Sequence, residues 1–106
     1  MITVNNIIEH SNAEIIQLLG RHFKKYRLSV RMTQKEVAEQ AGVSVLMLRN
    51  FETGKATNIT MGNFLALLRA IGELKSISSI LPEIPISPYL LQKLQQKQPK
   101  RIRHGK

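Results

Sequence analysis

The chain lacks cysteine and aspartate, has few aromatics, and contains no long apolar run. Without cysteine there is no disulfide framework, no thiol nucleophile and no Cys-based zinc site, which fits a reducing compartment. The three histidines, His10, His22 and His104, are widely spaced. None pairs with another at metal-ligand spacing. The serines form no nucleophile elbow, and no glycine-rich phosphate loop is present. These absences argue against an enzyme and leave no metal, cofactor or small-molecule ligand to expect. Two tyrosines and three phenylalanines are too few for the stacking platform that single-stranded RNA needs. No apolar run approaches the length that spans a bilayer. The start, MITVNNIIEHSN, has no basic region ahead of an apolar block and does not read as a signal peptide. The expectation is a cytoplasmic protein with no membrane partner.

What is present is positive charge. The chain has 106 residues, which suits one domain with a modest core. Its formal net charge is +9, from 16 Lys and Arg against 7 acids, all of them glutamate. From Lys93 onward there are six basic residues and no acid, so residues 1–92 carry ten against seven, or +3. Arg21, Lys24, Lys25, Arg27 and Arg31 form a second basic stretch. Such a balance favours a polyanion, with nucleic acid ahead of an acidic protein or membrane surface. A solvated basic face with a solubilising tail explains the charge equally well.

The pattern along the chain is helical. ITVNNII is β-branched and could be a short strand or an arm. Ser11 and Glu14 have capping-box spacing, and Ile15, Ile16, Leu19, Phe23 and Tyr26 follow at helical intervals. This predicts a helix over 12–29. Thr33 and Glu36 form a second capping box. The helix behind it buries Val37, Ala38 and Ala41 and stops at Gly42, a residue suited to the left-handed position. Val43 is read as a buried turn residue. Ser44 caps a third helix that ends before Gly54. Thr60 caps a fourth, carried by Phe64, Leu65, Leu67, Leu68 and Ile71 and stopped by Gly72. A shorter fifth is expected over 74–81, ended by Pro82. The expected fold is therefore all-α, with an arm over 1–11, a domain over 12–81, and a Pro-containing spacer and basic tail over 82–106. Within that tail, Ser87-Pro88 can start a short helix with Tyr89, Leu90, Leu91 and Leu94 as its apolar side.

Two short capped helices joined by a tight glycine turn have the spacing of a helix-turn-helix. In that motif the first helix lies across the DNA backbone and the second enters the major groove. The stretch TQKEVAEQAGVS…LRNFETGK resembles the phage-repressor-like (XRE-type) helix-turn-helix family through Gln34, Ala38, Gly42, Ser44, Leu48, Phe51, Glu52 and Gly54. The resemblance covers roughly 15–75 and implies a five-helix lambda-repressor-like domain. The later segment, from AIGELKSISSILPEIPISP to the basic end, more loosely resembles the C-terminus of HipB-like antitoxins. That second resemblance implies a homodimer that represses its own operon and binds a HipA-like kinase toxin.

On a helical wheel Met47, Leu48 and Phe51 share one side of the third helix, facing the core. Leu46, Arg49 and Thr53 lie opposite, flanked by Val45 and Asn50. The surface offered to DNA is then Val45, Leu46, Arg49 and Asn50. Asn50 can pair with adenine and Arg49 with guanine, while Val45 and Leu46 fit thymine methyl groups. Phosphate contact or solvation is the other reading for Arg49, and a dimer contact for the apolar pair. Ser44 serves as cap and as a phosphate contact. Lys55, Thr57, Asn58, Arg31 and Lys35 are expected on phosphates, setting register without reading sequence. The resemblance adds Gln34, whose counterpart bonds phosphate and braces the reading helix. Glu52, an acid beside DNA, reads as structural, pairing with Arg21 or another base of the first helix. Two functions survive: a dimeric sequence-specific repressor on double-stranded operator DNA, and a protein-interaction module that kept the fold without reading DNA. The apolar Val45-Leu46 pair is the main support for the second.

Overall fold

A computed structural model describes residues 6–81, 83–84 and 87–97. Among the described residues there are five α-helices and no strand: α1 (Asn12–Ser29), α2 (Gln34–Ala41), α3 (Val45–Thr53), α4 (Met61–Ala70) and α5 (Pro88–Lys97). Short 3₁₀ turns cover Ile7–Glu9 and Leu74–Ser79. Both capping boxes form: Ser11 and Thr33 each accept from the amide three residues on, while Glu14 and Glu36 reach back to the cap amides. Ser44 and Thr60 cap α3 and α4 through single bonds to Met47 and Asn63. Each cap satisfies an amide that the first turn leaves without a partner.

The core is Phe23 from α1, Val37 and Ala38 from α2, Leu48 and Phe51 from α3, Leu67 from α4, and Ile71 just after α4. The Phe51 ring is central, with Phe23 at 5.9 Å and Phe64 edge-on at 6.1 Å, spacings at which aromatic quadrupoles attract. Helix α1 packs on α3, and α2 packs on both α3 and α4. The α1–α3 crossing depends on Gly20. A Cβ there would stand 2.9 Å from the Phe51 carbonyl carbon and nearer still to its oxygen.

Gly42 ends α2 at φ 74°, with its amide on the Glu39 carbonyl and the Val43 amide on that of Ala38. This is the paired closure that left-handed C-terminal residues make. The same closure ends α1, but Arg31 holds the left-handed position at φ 60°. A side chain there costs about 1–2 kcal/mol relative to the right-handed basin.

Three readings are refined. The shorter helix expected over 74–81 is a 3₁₀ helix over Leu74–Ser79 and not an α-helix. Its N-cap, Glu73, makes no side-chain cap bond, so its first amides lack the partner that Ser11, Thr33, Ser44 and Thr60 supply to the helices before it. Near the start, where the sequence allows a short strand or an arm, Ile7–Glu9 is a 3₁₀ turn; residues 1–5 and the basic end from residue 98 lie outside the described residues. Val43 is half-buried, because the Gly42 closure lifts it partly over the edge of the core.

Candidate nucleic-acid interface

Helix α3 is placed by a polar network at its inner side. Arg27 and Glu52 are buried, at 5% and 2% exposure. Arg27 donates from Nε to Glu52 Oε2 at 2.7 Å and from Nη2 to Oε1 at 2.9 Å. Its Nη1 donates to the Met32 carbonyl at 2.9 Å. The Gln34 side-chain amide donates to Glu52 Oε1 at 3.0 Å. The Arg27–Glu52 pair thus ties α1, the α1–α2 connection, the first residue of α2 and the end of α3. Such a pair is tolerated in a dry core only when most of its hydrogen-bonding capacity is used. The partner of Glu52 is Arg27, not Arg21. Arg27 shares the inward stripe with Gly20 and Phe23, which is the signal that could have identified it.

The pairing turns the one acid of α3 inward, so the exposed side of that helix carries none. Leu46 is 58% exposed, and Arg49 and Thr53 are exposed with it. Asn50 is half-buried. Its carbonyl accepts from the Ala56 amide at 3.1 Å, which folds the following loop back under the helix end. The wheel placed Val45 outward, but it is half-buried and packs on the core.

Among the residues expected on phosphates, Ser44, Arg31, Lys35, Lys55 and Asn58 are exposed, and Thr57 and Gln34 are half-buried. The Ser44 oxygen accepts from the Met47 amide at 3.0 Å, and its own O–H remains a donor. Gln34 spends one amide hydrogen on Glu52 and keeps a carbonyl and a second N–H. Arg31, Lys35 and Gln34 lie at the entry to α2; Lys55, Thr57 and Asn58 follow the end of α3. The candidate surface therefore has the exposed stripe of α3 in the middle and polar groups on either side.

Gln17 was not expected in this region, and Arg21, expected on Glu52, lies instead by the loop after α3. The Gln17 side chain donates to the Gly54 carbonyl at 3.2 Å, and a Cβ on Gly54 would stand 3.6 Å from an Arg21 guanidinium nitrogen. Helix α1 thus braces the loop after α3, a contact across 37 positions of sequence that no local pattern signals. At the far end of α1 the Ser11 amide bonds Glu14 and, with the nearby His10, holds its carboxyl below the usual carboxylate range.

Among the described residues no helix is long and apolar enough to cross a membrane, and no group of three or more His, Asp and Glu side chains could hold a metal ion. A family model described as helix-turn-helix matches residues 23–76. No curated protein and no solved structure matches the chain.

Proposed function

Because the chain belongs to the helix-turn-helix family of DNA-binding transcription regulators, we propose that it is a repressor that reads a specific operator through α3 as a homodimer. The observation that carries this reading is the composition of the outer side of α3: Leu46, Arg49 and Asn50 reach solvent while its acid is buried against Arg27. Asn50 suits adenine and Arg49 guanine, and Leu46 suits a thymine methyl group. Val45 contributes at the edge of that contact. Gln34, Lys35, Ser44, Lys55, Thr57, Asn58 and Arg31 hold the phosphates on both sides and set the register. The operator is then an inverted repeat with half-sites about 10 bp apart, or a multiple of that.

The second part of the reading is the partner. The segment after α4, with its Leu-Pro-Glu and Ser-Pro steps and basic end, supports a HipB-like antitoxin that represses its own operon and binds a HipA-like kinase. Co-expression with the product of the neighbouring gene tests it: a complex that survives gel filtration supports the pairing, and separate elution contradicts it.

DNA reading is tested by titrating the protein against its own upstream DNA at two salt concentrations, with scrambled DNA as control. A preference for the upstream sequence that persists at the higher salt supports the repressor. Equal affinity for scrambled DNA would favour the interaction module, for which the exposed Leu46 is the natural anchor.

A further inference from the structure

Helix α1 carries a basic side that its own fold does not use. Gln17, Arg21 and Lys24 are four and three residues apart, so they share one side of the helix, next to the buried stripe of Gly20, Phe23 and Arg27. Arg21 and Lys24 are exposed. Among the described residues neither forms an ion pair with an acid of the chain. The nearest candidates are committed elsewhere: Glu52 to Arg27 and Gln34, and Glu14 to the Ser11 amide. Two cations one turn apart on a rigid helix, without a counter-charge, raise the potential there and favour an anion.

Their place in the fold says which anion. The Gln17 side chain donates to the Gly54 carbonyl at 3.2 Å, and an Arg21 guanidinium nitrogen stands 3.6 Å from where a Cβ on Gly54 would be. This side of α1 therefore adjoins the loop that begins at Gly54 and offers Lys55, Thr57 and Asn58. Further along the same helix, Arg27 bonds the Met32 carbonyl and meets Gln34, at the entry to α2, through Glu52. Arg21 and Arg27 are about 9 Å apart along the axis, and Lys24 falls midway. A DNA strand presents about one charge per 3.4 Å of its axis, so a basic run of this length spans more than one phosphate.

We propose that this side of α1 is a further DNA-backbone contact, in which Arg21 and Lys24 hold phosphates beside those held by Lys55 and Gln34. The surface reads no sequence. It widens the footprint and adds salt-sensitive affinity. The inference rests on the reading of α3 as the DNA-facing helix and names a surface that the two helices of the motif do not themselves supply.

Two double variants of the full chain that lose the same charge test it, each titrated against the chain's own upstream DNA and a scrambled duplex over a range of salt. Arg21→Gln with Lys24→Gln should weaken binding to both duplexes about tenfold at low salt and reduce the slope of log K against log salt by about two. Arg69→Gln with Lys75→Gln, in the last turn of α4 and the 3₁₀ turn after it, should reduce the slope by less than about one. Exchanging the cations, Arg21→Lys with Lys24→Arg, should restore the parent slope. All four side chains are exposed, so an unchanged circular-dichroism spectrum will show that each variant still folds. A parent-like slope in the Arg21 and Lys24 variant overturns the proposal, and so does an equal fall in the Arg69 and Lys75 variant. The two readings fail separately. A parent chain without sequence preference, whose slope still falls with Arg21 and Lys24, refutes the repressor and leaves this surface standing. A parent that prefers its upstream DNA while both double variants match it refutes only this surface. A chain that binds neither duplex refutes both.

Discussion

Removing the Glu52 carboxylate should cost more stability than any other single truncation of a polar side chain in the body. Glu52 accepts two N–H bonds from Arg27 and one from Gln34. In Glu52→Ala all three acceptor contacts vanish, and Arg27, still 5% exposed, keeps only the Met32 carbonyl. Breaking one side of a buried ion pair costs about 3–5 kcal/mol, because the remaining charge is left without a counter-charge. Domains of this size have about 5–15 kcal/mol in all, so the variant should lose at least a fifth of its stability and could lose most of it. The melting temperature should fall by about 12 °C or more. Urea unfolding followed by circular dichroism measures the loss. The informative partner is Arg27→Met combined with Glu52→Leu, which removes both charges and keeps most of the volume. It should lie within about 2 kcal/mol of the parent, since only the Met32 carbonyl and the half-buried Gln34 amide lose partners. The reasoning is refuted if Glu52→Ala costs under about 1 kcal/mol, or if the double variant is no more stable than the single one.

Gly20→Ala should destabilise by about 1–3 kcal/mol through forced separation of α1 and α3, and a thermal melt equal to the parent's would show that the crossing can relax. Arg31→Gly relieves a left-handed side chain and should gain up to about 1 kcal/mol; in the repressor reading the same change lowers DNA affinity and flattens its salt dependence, so an unstable variant or an unchanged salt slope counts against the assignment. The Ser11–Glu14 box should be sensitive to acid. Glu14 titrates below its ordinary range when folded, so its contribution is present above the unfolded carboxylate range, about pH 4, and is lost as pH falls through the lowered value. Amide exchange at Ser11 should accelerate there before the core amides respond, and simultaneous loss would contradict it.

The parts of the fold that were legible in the chain are the local ones. Capping boxes, a serine cap and a glycine closure each act within about one helical turn, so Ser11–Glu14, Thr33–Glu36, Ser44 and Gly42 identify their own elements. The wheel likewise separates Leu48 and Phe51 from Leu46 and Arg49, because α3 is regular. What stayed hidden depends on packing between elements. Arg27 and Glu52 are 25 positions apart; the inward stripe of Phe23 points to Arg27 over Arg21, but only the meeting of α1 with α3 brings it to Glu52. Gly20 carries no signal until the Phe51 carbonyl is placed against it. Nothing in the residue type at 31 announces a left-handed backbone, which arginine disfavours. Val45 flanks the outer side on the wheel yet is half-buried against the core, because a wheel gives an angle and not how far the neighbouring elements reach. The segment after Gly72 forms a helix where its apolar spacing places one, but a 3₁₀ helix, since no side chain caps its start.

The most direct test of the account is an Asn50→Ala variant measured against a set of operators, each with one base pair changed. If α3 reads bases, the variant loses about 1–3 kcal/mol on the parent operator and becomes indifferent to the base at one position of each half-site, with its other preferences intact. Uniform weakening across every operator, or no loss at all, would contradict base reading by this helix.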